Sequence, residues 1–313
     1  MARRRTPQQA LEGWLAAPGP AALLAACREL RSVLLPAECV VCGAPDESLC
    51  TGCALAVRHA TLRPFDASSG AAMLPPADPR SGTGKAFGPP AEEPAETVPL
   101  PVIASGRYAG GLARVLLACK NHGHTDLAGI LAEAMARALH EAVRASGHPG
   151  PLAVIPVPGS FHSRTRRGYD PLQLILAKVG LRGLLPAGTG IRRVLKYRTG
   201  TGLVTRGRGA QKSLGAGARR RNVHGTMTAG PPGTLQGISV LLADDVLTTG
   251  ATLAEAARAL RAAGAHVAAG AVIAAVRAPA PGVGNSTGSP PRPACEITCG
   301  STAHEQRPRS EGE

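Results

Sequence analysis

Aromatic residues are scarce in this sequence. Its 313 residues include one Trp, three Tyr and three Phe. So few aromatic side chains argue against a base-stacking platform for single-stranded nucleic acid. The hydrophobic content of 44% excludes a wholly disordered or fibrous chain. Because most of the apolar residues are Ala, Leu and Val, we expect an aliphatic core.

Acidic residues are also few, and their shortage is local. The 21 Asp and Glu face 35 Lys and Arg, which gives a net charge of +14. Residues 1–150 carry 14 basic and 13 acidic residues, whereas residues 151–313 carry 21 and 8. Between Pro171 and Ala243 there are 12 basic residues and no acidic one. An excess of this kind indicates a polyanion, such as nucleic acid, a phosphorylated ligand or an acidic membrane face.

Long apolar runs are absent, so the sequence predicts no transmembrane helix. The N-terminus is basic, and Leu24-Ala25-Ala26-Cys27 is similar to a bacterial lipoprotein cleavage site. Glu12 and Pro18 interrupt that pattern, and residues 21–35 continue as an apolar-faced helix. We therefore favour a cytoplasmic protein over an exported one.

Four of the eight cysteines form two close pairs, Cys39-x-x-Cys42 and Cys50-x-x-Cys53. Each pair can give two thiolates to one tetrahedral Zn²⁺, and the spacing is typical of a zinc knuckle. Disulfides and unpaired buried thiols are the alternatives. Four thiolates leave no open coordination position, so the predicted zinc is structural. Thiolate ligands also suit the reducing cytoplasm.

Composition divides the chain into four parts. Residues 1–58 hold an N-terminal helix and the knuckle, residues 59–101 read as a flexible linker, and residues 279–313 read as a disordered tail. Between them, residues 102–278 alternate apolar runs that suit buried strands with helical patterns. The strands are predicted at 152–157, 239–243 and 267–276, and the helices at 110–120, 126–145, 172–179 and 252–263. This alternation predicts an α/β fold with a mainly parallel sheet flanked by helices.

The most specific motif is Val240-Leu-Leu-Ala-Asp244-Asp245-Val-Leu-Thr248-Thr249-Gly250-Ala251-Thr252. A buried strand ends in two carboxylates, and a turn of small and hydroxyl residues then opens a helix. Such a turn offers backbone N–H groups to a phosphate. The two carboxylates can accept hydrogen bonds from vicinal sugar hydroxyls. The motif therefore predicts a ribose 5-phosphate site, and an ordinary strand–turn–helix with a solvated acidic pair is the alternative.

This segment resembles the phosphoribosyl pyrophosphate (PRPP) signature of type I phosphoribosyltransferases. Thr248 stands where purine-salvage relatives have a third Asp, which makes purine salvage a poor expectation. The wider chain resembles the ComF/GntX family of late-competence and amidophosphoribosyltransferase-like proteins over about residues 34–58 and 102–277. The likeness is carried by the knuckle, Tyr108 with Lys120, Ile155-Pro156-Val157-Pro158, Arg167-Gly168-Tyr169-Asp170, Gln211-Lys212-Ser213-Leu214 and Arg219-Arg220-Arg221-Asn222-Val223. Asp170 replaces the Asn of many relatives.

The resemblance implies the type I phosphoribosyltransferase fold and a set of site residues. Asp244 and Asp245 would contact the ribose hydroxyls, and residues 248–252 would hold the 5-phosphate. The PRPP-binding residues would be Asp244, Asp245, Thr248, Thr249, Gly250, Ala251, Thr252, Gly159, Ser160 and Arg167. Lys212, Arg219 and Arg221 would act catalytically from a loop that closes over the Mg²⁺-bound pyrophosphate. The alternatives are a solvated basic loop for Arg167 and a merely flexible Gly-rich loop for Lys212, Arg219 and Arg221.

Two functions from different classes follow. The first is a PRPP-binding, Mg²⁺-dependent phosphoribosyltransferase that releases pyrophosphate, with residues 102–145 and the knuckle as a hood over an unidentified nitrogen acceptor. The second is a non-catalytic competence or DNA-processing partner that binds single-stranded DNA or a protein through the knuckle and the basic segment. A PRPP sensor without turnover is a third reading. A homodimer stays open, and no membrane contact is expected.

Overall fold

A computed structural model describes residues 37–78, 98–159, 168–198 and 224–276. The helices are α1 (Thr51–Ala60), α2 (Gly110–Asn121), α3 (Ala128–Ser146), α4 (Pro171–Leu181) and α5 (Ala251–Ala262), with 3₁₀ turns at Ser68–Gly70 and Thr125–Leu127. The strands are β1 (Phe65–Asp66), β2 (Val102–Arg107), β3 (Leu152–Pro156), β4 (Thr189–Ile191), β5 (Lys196–Tyr197), β6 (Met227–Thr228), β7 (Ser239–Leu247) and β8 (His266–Ala275). The helix predicted at 21–35 and the tail predicted at 279–313 lie outside the described residues.

Six strands form one sheet in the order β1-β2-β8-β7-β3-β4. Every neighbouring pair is parallel except β1 with β2, which is antiparallel. β5 and β6 pair with each other in a separate two-stranded antiparallel ribbon. The sheet and its flanking helices confirm the prediction of an α/β fold with a mainly parallel sheet.

Apolar side chains pack on both faces of this sheet. Leu241 and Ala243 of β7 join α2, α3 and α4 on one face, and Val240 and Leu242 join α5 on the other. This division follows from the alternation of side chains along a strand. β8 is buried at all ten positions, as expected for a strand covered on both faces. The largest fully buried side chains are Leu, Ile and Met, so the core is aliphatic, as the composition predicts.

Strand β7 is longer than the predicted 239–243. It stays paired with β8 through Asp244↔Val272, Val246↔Ala274 and Leu247↔Ala275. The two carboxylates are therefore inside the strand rather than after it. The apolar pattern ends too early because two charged residues interrupt it, whereas backbone pairing does not depend on the side chain.

Residues 59–78 belong to the fold, so the predicted flexible linker over residues 59–101 is wrong for this stretch. α1 continues to Ala60, and β1 then pairs with β2 as Phe65↔Ala104 and Asp66↔Ile103. Beyond β1 the small apolar residues Ala67 and Ala71 are buried, as is Met73. Isolated buried residues leave no periodic pattern, and for that reason no local signal predicts this order.

Residues 102–145, predicted to form a hood together with the knuckle, contribute β2, α2 and α3 to the main fold. β2 lies inside the sheet between β1 and β8, and α3 packs against the sheet as part of the main core. α2 lies at the carboxyl edge of the strands. Its two ends are attached there, since the Tyr108 N–H donates to the Ala275 carbonyl at 2.8 Å and Lys120 pairs with Asp245.

Candidate functional site

The acidic pair lies where the two halves of the sheet meet. β3 and β7 are parallel neighbours, but the helix after β3 packs on one face and the helix after β7 packs on the other. Open parallel sheets bind ligands in the crevice outside the carboxyl ends of two such strands. The pairing of β3 with β7 ends at Pro156↔Ala243, so Asp244 and Asp245 project beyond the end of β3.

Each carboxylate of the pair has a defined partner. Lys120 Nζ lies 2.6 Å from Asp245 Oδ2, and this ion pair joins residues from α2 and β7. The backbone N–H of Asp245 donates to Asp244 Oδ1 at 2.8 Å. Because neighbouring residues of a strand point to opposite faces, the pair presents carboxylate oxygens on both sides of β7.

Asp244 is held in an environment that disfavours its charge. Burial is the larger cause and the negative charge of Asp245 is the second, and together they raise the pKa of Asp244 to about 7. The Asp245 N–H and the Lys120 ammonium oppose this shift without cancelling it. Asp244 therefore takes up a proton readily, whereas its neighbour Asp245 forms an ion pair with Lys120.

The turn between β7 and α5 presents the N-terminal N–H groups of a helix. Gly250 has φ +83°, a left-handed conformation that favours glycine, and α5 begins at the next residue. The first N–H groups of a helix have no carbonyl partner within it, and the helix dipole favours negative charge there. The Ala251 N–H donates to the Thr249 hydroxyl oxygen at 3.4 Å. A phosphate can bind to this set of N–H and hydroxyl groups.

A segment far away in the sequence covers this turn. We call residues 71–78 the strap. The Met73 N–H donates to the Thr249 carbonyl at 2.9 Å, and the Leu74 side chain packs directly against Gly250. At its other end, Arg261 of α5 donates to the Pro76 carbonyl at 2.8 Å. The strap is thus fixed both to the turn between β7 and α5 and to the helix behind it.

We expect Gly250→Ala to destabilise the protein in a way that depends on Leu74. A Cβ at position 250 would lie 2.9 Å from Leu74 Cδ2 and 3.2 Å from its nitrogen, and φ would be strained. The expected loss is about 2–4 kcal/mol in urea denaturation. Adding Leu74→Ala removes the side-chain clash, so the double variant should lose clearly less than the sum of the two single losses.

Gly237→Ala is the matched control, because Gly237 has φ +74° and an added Cβ there would meet no heavy atom within 4 Å. The stability that Gly237→Ala loses should come from backbone strain alone and amount to about 1 kcal/mol. Additivity of Gly250→Ala and Leu74→Ala within about 0.5 kcal/mol would contradict the contact between strap and turn.

The turn after β3 lies beside the acidic pair. Val157 N–H donates to the Ala243 carbonyl at 2.9 Å, which places Gly159 next to the end of β7. The Gly159 N–H donates to Asp170 Oδ2 at 3.2 Å, and Asp170 also caps the N-terminus of α4. The negative charge of Asp170 contributes a little to the raised pKa of Asp244. Gly159 is therefore close to the pair, with its N–H directed at a side chain of the protein.

Several predicted site residues lie outside the described residues. They are Ser160, Arg167 and the three predicted catalytic cations Lys212, Arg219 and Arg221. Among the described residues, the structure brings together Asp244, Asp245, Gly159 and the turn 248–252. The prediction for the remaining five stays a prediction.

The four cysteines of the predicted knuckle converge. Cys39, Cys42, Cys50 and Cys53 have sulfur atoms within 4.8 Å of one another, and Cys42 Sγ lies 3.6 Å from Cys50 Sγ. Ligands 2.3 Å from a tetrahedral zinc would be separated by about 3.8 Å. The arrangement fits one structural Zn²⁺ held by these four thiols.

Backbone groups at the cluster favour the thiolate form of Cys39. Burial opposes ionisation of Cys39, but N–H groups of Cys50, Cys42 and Val41 outweigh it and lower the pKa of Cys39 to about 6. Burial and the neighbouring thiols raise the pKa of Cys53. A thiolate beside protonated neighbours suits a centre that takes up a cation and releases protons.

We call residues 37–60, which contain the four cysteines and α1, the cysteine unit. It contacts α3 through the carboxylate of Glu133. Arg58 of α1 donates to Glu133 with Nε at 2.9 Å from Oε2. Arg137 and Arg182 also lie within 4 Å of Glu133. A cleft of about 620 Å³ opens between the unit and α3, lined by residues that include Asp46, Arg58 and Glu133. The Arg58–Glu133 ion pair holds α1 against α3.

Sequence reasoning missed three contributors to this site. Met73 and Leu74 lie in the predicted linker, and the sequence marks Asp170 only as a departure from the family pattern. Asp170 followed by Pro171 is a local signal for a helix start, since Asp favours the N-cap and Pro the first helical position. The strap has no comparable local signal.

Comparisons with known proteins add no relative. A scan against models of protein families found no match, and a search of curated proteins found no significant match. In the part of the chain that the structure describes, no helix has the length and apolar character needed to cross a membrane.

Proposed function

We propose that this protein binds PRPP in the manner of type I phosphoribosyltransferases and transfers its phosphoribosyl group to a nitrogen nucleophile. The observation that carries the proposal is the joint position of the acidic pair and the phosphate-binding turn, at the carboxyl end of β7 in the crevice beside β3. The likeness of its motifs to the ComF/GntX family supports the same function.

The ribose 5-phosphate half of the substrate would fill the described part of the site. Its phosphate would accept hydrogen bonds from N–H groups of residues 250–252 and from the hydroxyls of Thr248 and Thr249. Its two ring hydroxyls would donate to Asp244 and Asp245. A charged carboxylate accepts such hydrogen bonds more strongly than a protonated one.

The reaction replaces one bond at C1 of the ribose by another. The C1–O bond to pyrophosphate breaks with its electron pair on the leaving oxygen, while the nitrogen forms a bond to C1 and loses a proton. The substrate brings Mg²⁺ on its pyrophosphate, which offsets the charge of the leaving group. In this proposal the predicted cations Lys212, Arg219 and Arg221 contribute further positive charge to the same group.

Calorimetry with Mg²⁺ and PRPP tests this proposal. We expect a dissociation constant below about 1 mM, and we expect it to fall as the pH rises through the pKa of Asp244, because binding then no longer requires removal of a proton. Asp46→Asn is the matched control, since Asp46 is exposed in the cysteine unit. Absence of binding at millimolar PRPP would remove both the transferase and the PRPP-sensor readings.

One observation favours the second candidate function, a DNA-processing partner. Arg192, Arg193, Lys196 and Arg198 are all exposed, within a stretch of 12 basic residues that contains no acid. If this surface binds single-stranded DNA, the affinity must weaken steeply as salt is raised. Salt-dependent DNA binding without PRPP binding would select this function over the first.

A further inference from the structure

Lys120 contacts the acidic pair, and the proposed function gives it no role. Its ammonium lies 2.6 Å from Asp245 Oδ2, and the side chains of the two residues are 42% and 17% exposed. Lys120 is in the last turn of α2, where a positive charge also stabilises the helix itself. Because partly exposed ion pairs contribute little to stability, the meaning of this pair depends on how it is held.

The end of α2 that carries Lys120 is fixed in place. The Tyr169 hydroxyl donates to the carbonyl of Cys119, the residue before Lys120. This carbonyl is one of the last four of the helix, which have no partner within the helix. Cys119 itself is buried. The lysine side chain therefore extends from an anchored backbone and not from a frayed helix end.

The segment that holds Lys120 also contacts the other strand of the crevice. Asp170, the residue after Tyr169, accepts from the Gly159 N–H at 3.2 Å and caps α4. Gly159 lies just after β3, and Asp245 lies in β7. These contacts fix the end of α2 relative to both strands that border the crevice.

The charged groups that act on Asp244 come from three parts of the fold. Burial is the largest cause that raises the pKa of Asp244, the negative charges of Asp245 and Asp170 raise it further, and Lys120 lowers it. Cys119 also lies near Asp245, but burial raises the pKa of this thiol to about 11, so it stays neutral. Loss of Lys120 would leave the three carboxylates without this opposing charge and would raise the pKa of Asp244 further.

We propose that Lys120 is a positioning residue for the ribose, which holds Asp245 as an oriented, ionised acceptor, and that Tyr169 in turn positions Lys120. A carboxylate has about four acceptor sites, so one oxygen can accept from the ammonium while the other accepts from a ribose hydroxyl. An ionised acceptor makes the stronger hydrogen bond. The inference rests on the proposed function and adds two residues that act through Asp245.

Titration of ribose 5-phosphate into the full-length protein at about pH 7 and about pH 9 tests the inference. Both values lie above the pKa of about 6 of a phosphate monoester, so the charge of the ligand is nearly constant. In Lys120→Met we expect the affinity to fall about tenfold at about pH 7 and about threefold at about pH 9. The loss is smaller at the higher pH because both carboxylates are ionised there even without the lysine.

Conservative and matched variants separate this role from a structural one. Lys120→Arg keeps a positive charge beside Asp245 and should stay within about threefold of wild type at both pH values. Tyr169→Phe loses only the hydroxyl, and it should give a smaller loss with the same dependence on pH. Arg63→Met and Tyr197→Phe are the controls and should change nothing. Arg63 is exposed before β1, three strands away from β7, and Tyr197 is half-buried in the β5–β6 ribbon.

A loss of affinity in Lys120→Met that is equal at the two pH values would overturn the inference, because removing a charge that only stabilises α2 has that effect. Unchanged affinity would overturn it as well. Should Lys120→Met fail to fold, Lys120→Gln, which keeps a polar end, decides by the same comparison. Wild-type protein that binds neither ribose 5-phosphate nor PRPP would overturn the proposed function, and this inference with it.

Discussion

Asp244→Asn should make the protein more stable at about pH 8 and weaken the proposed binding of PRPP. The stability gain follows from the raised pKa of Asp244, which is about 7 in the folded protein against an ordinary value of 3.8. At a pH between 3.8 and about 7, Asp244 is protonated in the folded protein but ionised in the unfolded chain. The free energy of unfolding therefore decreases as the pH rises from 3.8 to about 7. Above this range the charged carboxylate of Asp244 continues to destabilise the folded protein.

The size of the effect follows from the shift. About three pKa units correspond to about 4 kcal/mol, and the partial exposure of Asp244 reduces the expected gain to about 1–2 kcal/mol. Asparagine is neutral and keeps an oxygen that can accept from the Asp245 N–H. In thermal denaturation at about pH 5 and about pH 8, the variant should exceed wild type in stability by a small margin at the lower pH and by a clearly larger one at the higher pH.

The same substitution should weaken the affinity for PRPP. Losing a charged acceptor for a ribose hydroxyl should weaken binding by about 10- to 100-fold, since hydrogen bonds to charged groups are the strong ones. Asp46→Asn should change neither stability at high pH nor affinity. An Asp244→Asn protein that binds PRPP normally, or is no more stable than wild type at about pH 8, would contradict the role given to this carboxylate.

Removal of zinc should have the other large effect. Purified protein is expected to carry one zinc per chain, and Cys39→Ser should reduce the content to below about half. Because structural zinc contributes its binding energy to folding, the variant should lose several kcal/mol of stability, and a strong chelator should lower the melting temperature of wild type similarly. Metal analysis and thermal denaturation measure the two quantities.

Cys119→Ser provides the control for the zinc experiment. Cys119 is buried and lies outside the cluster, and burial with nearby carboxylates raises its pKa to about 11. It therefore stays a neutral thiol, and its replacement should leave the zinc content unchanged. Equal zinc content in Cys39→Ser and wild type would show that the four cysteines do not form the metal site.

Local patterns are enough to predict part of this structure. The sequence from Val240 to Thr252 predicts a buried strand, a turn and a helix, and β7, the turn and α5 are found there. The spacing of the cysteine pairs likewise predicts a cluster that the structure forms. In both cases the relevant contacts join residues close in sequence.

Contacts between distant residues could not be predicted in this way. Lys120 meets Asp245 across 125 residues, and no property of either neighbourhood indicates the partner. The strap is similar, because Met73 and Leu74 are ordered by Thr249 and Gly250 rather than by a pattern of their own. The order of such a segment is a property of the assembled fold.

The strap and β1 also change what counts as a self-sufficient piece of this chain. A fragment that starts at Val102, the predicted domain boundary, would leave β2 as a bare outer strand with unpaired backbone groups, a template for aggregation. The same cut would uncover the apolar side of Gly250 where Leu74 packs. Truncation for crystallisation or for two-hybrid work should therefore keep the chain from the cysteine unit onward, because the sheet is completed by residues that precede Val102.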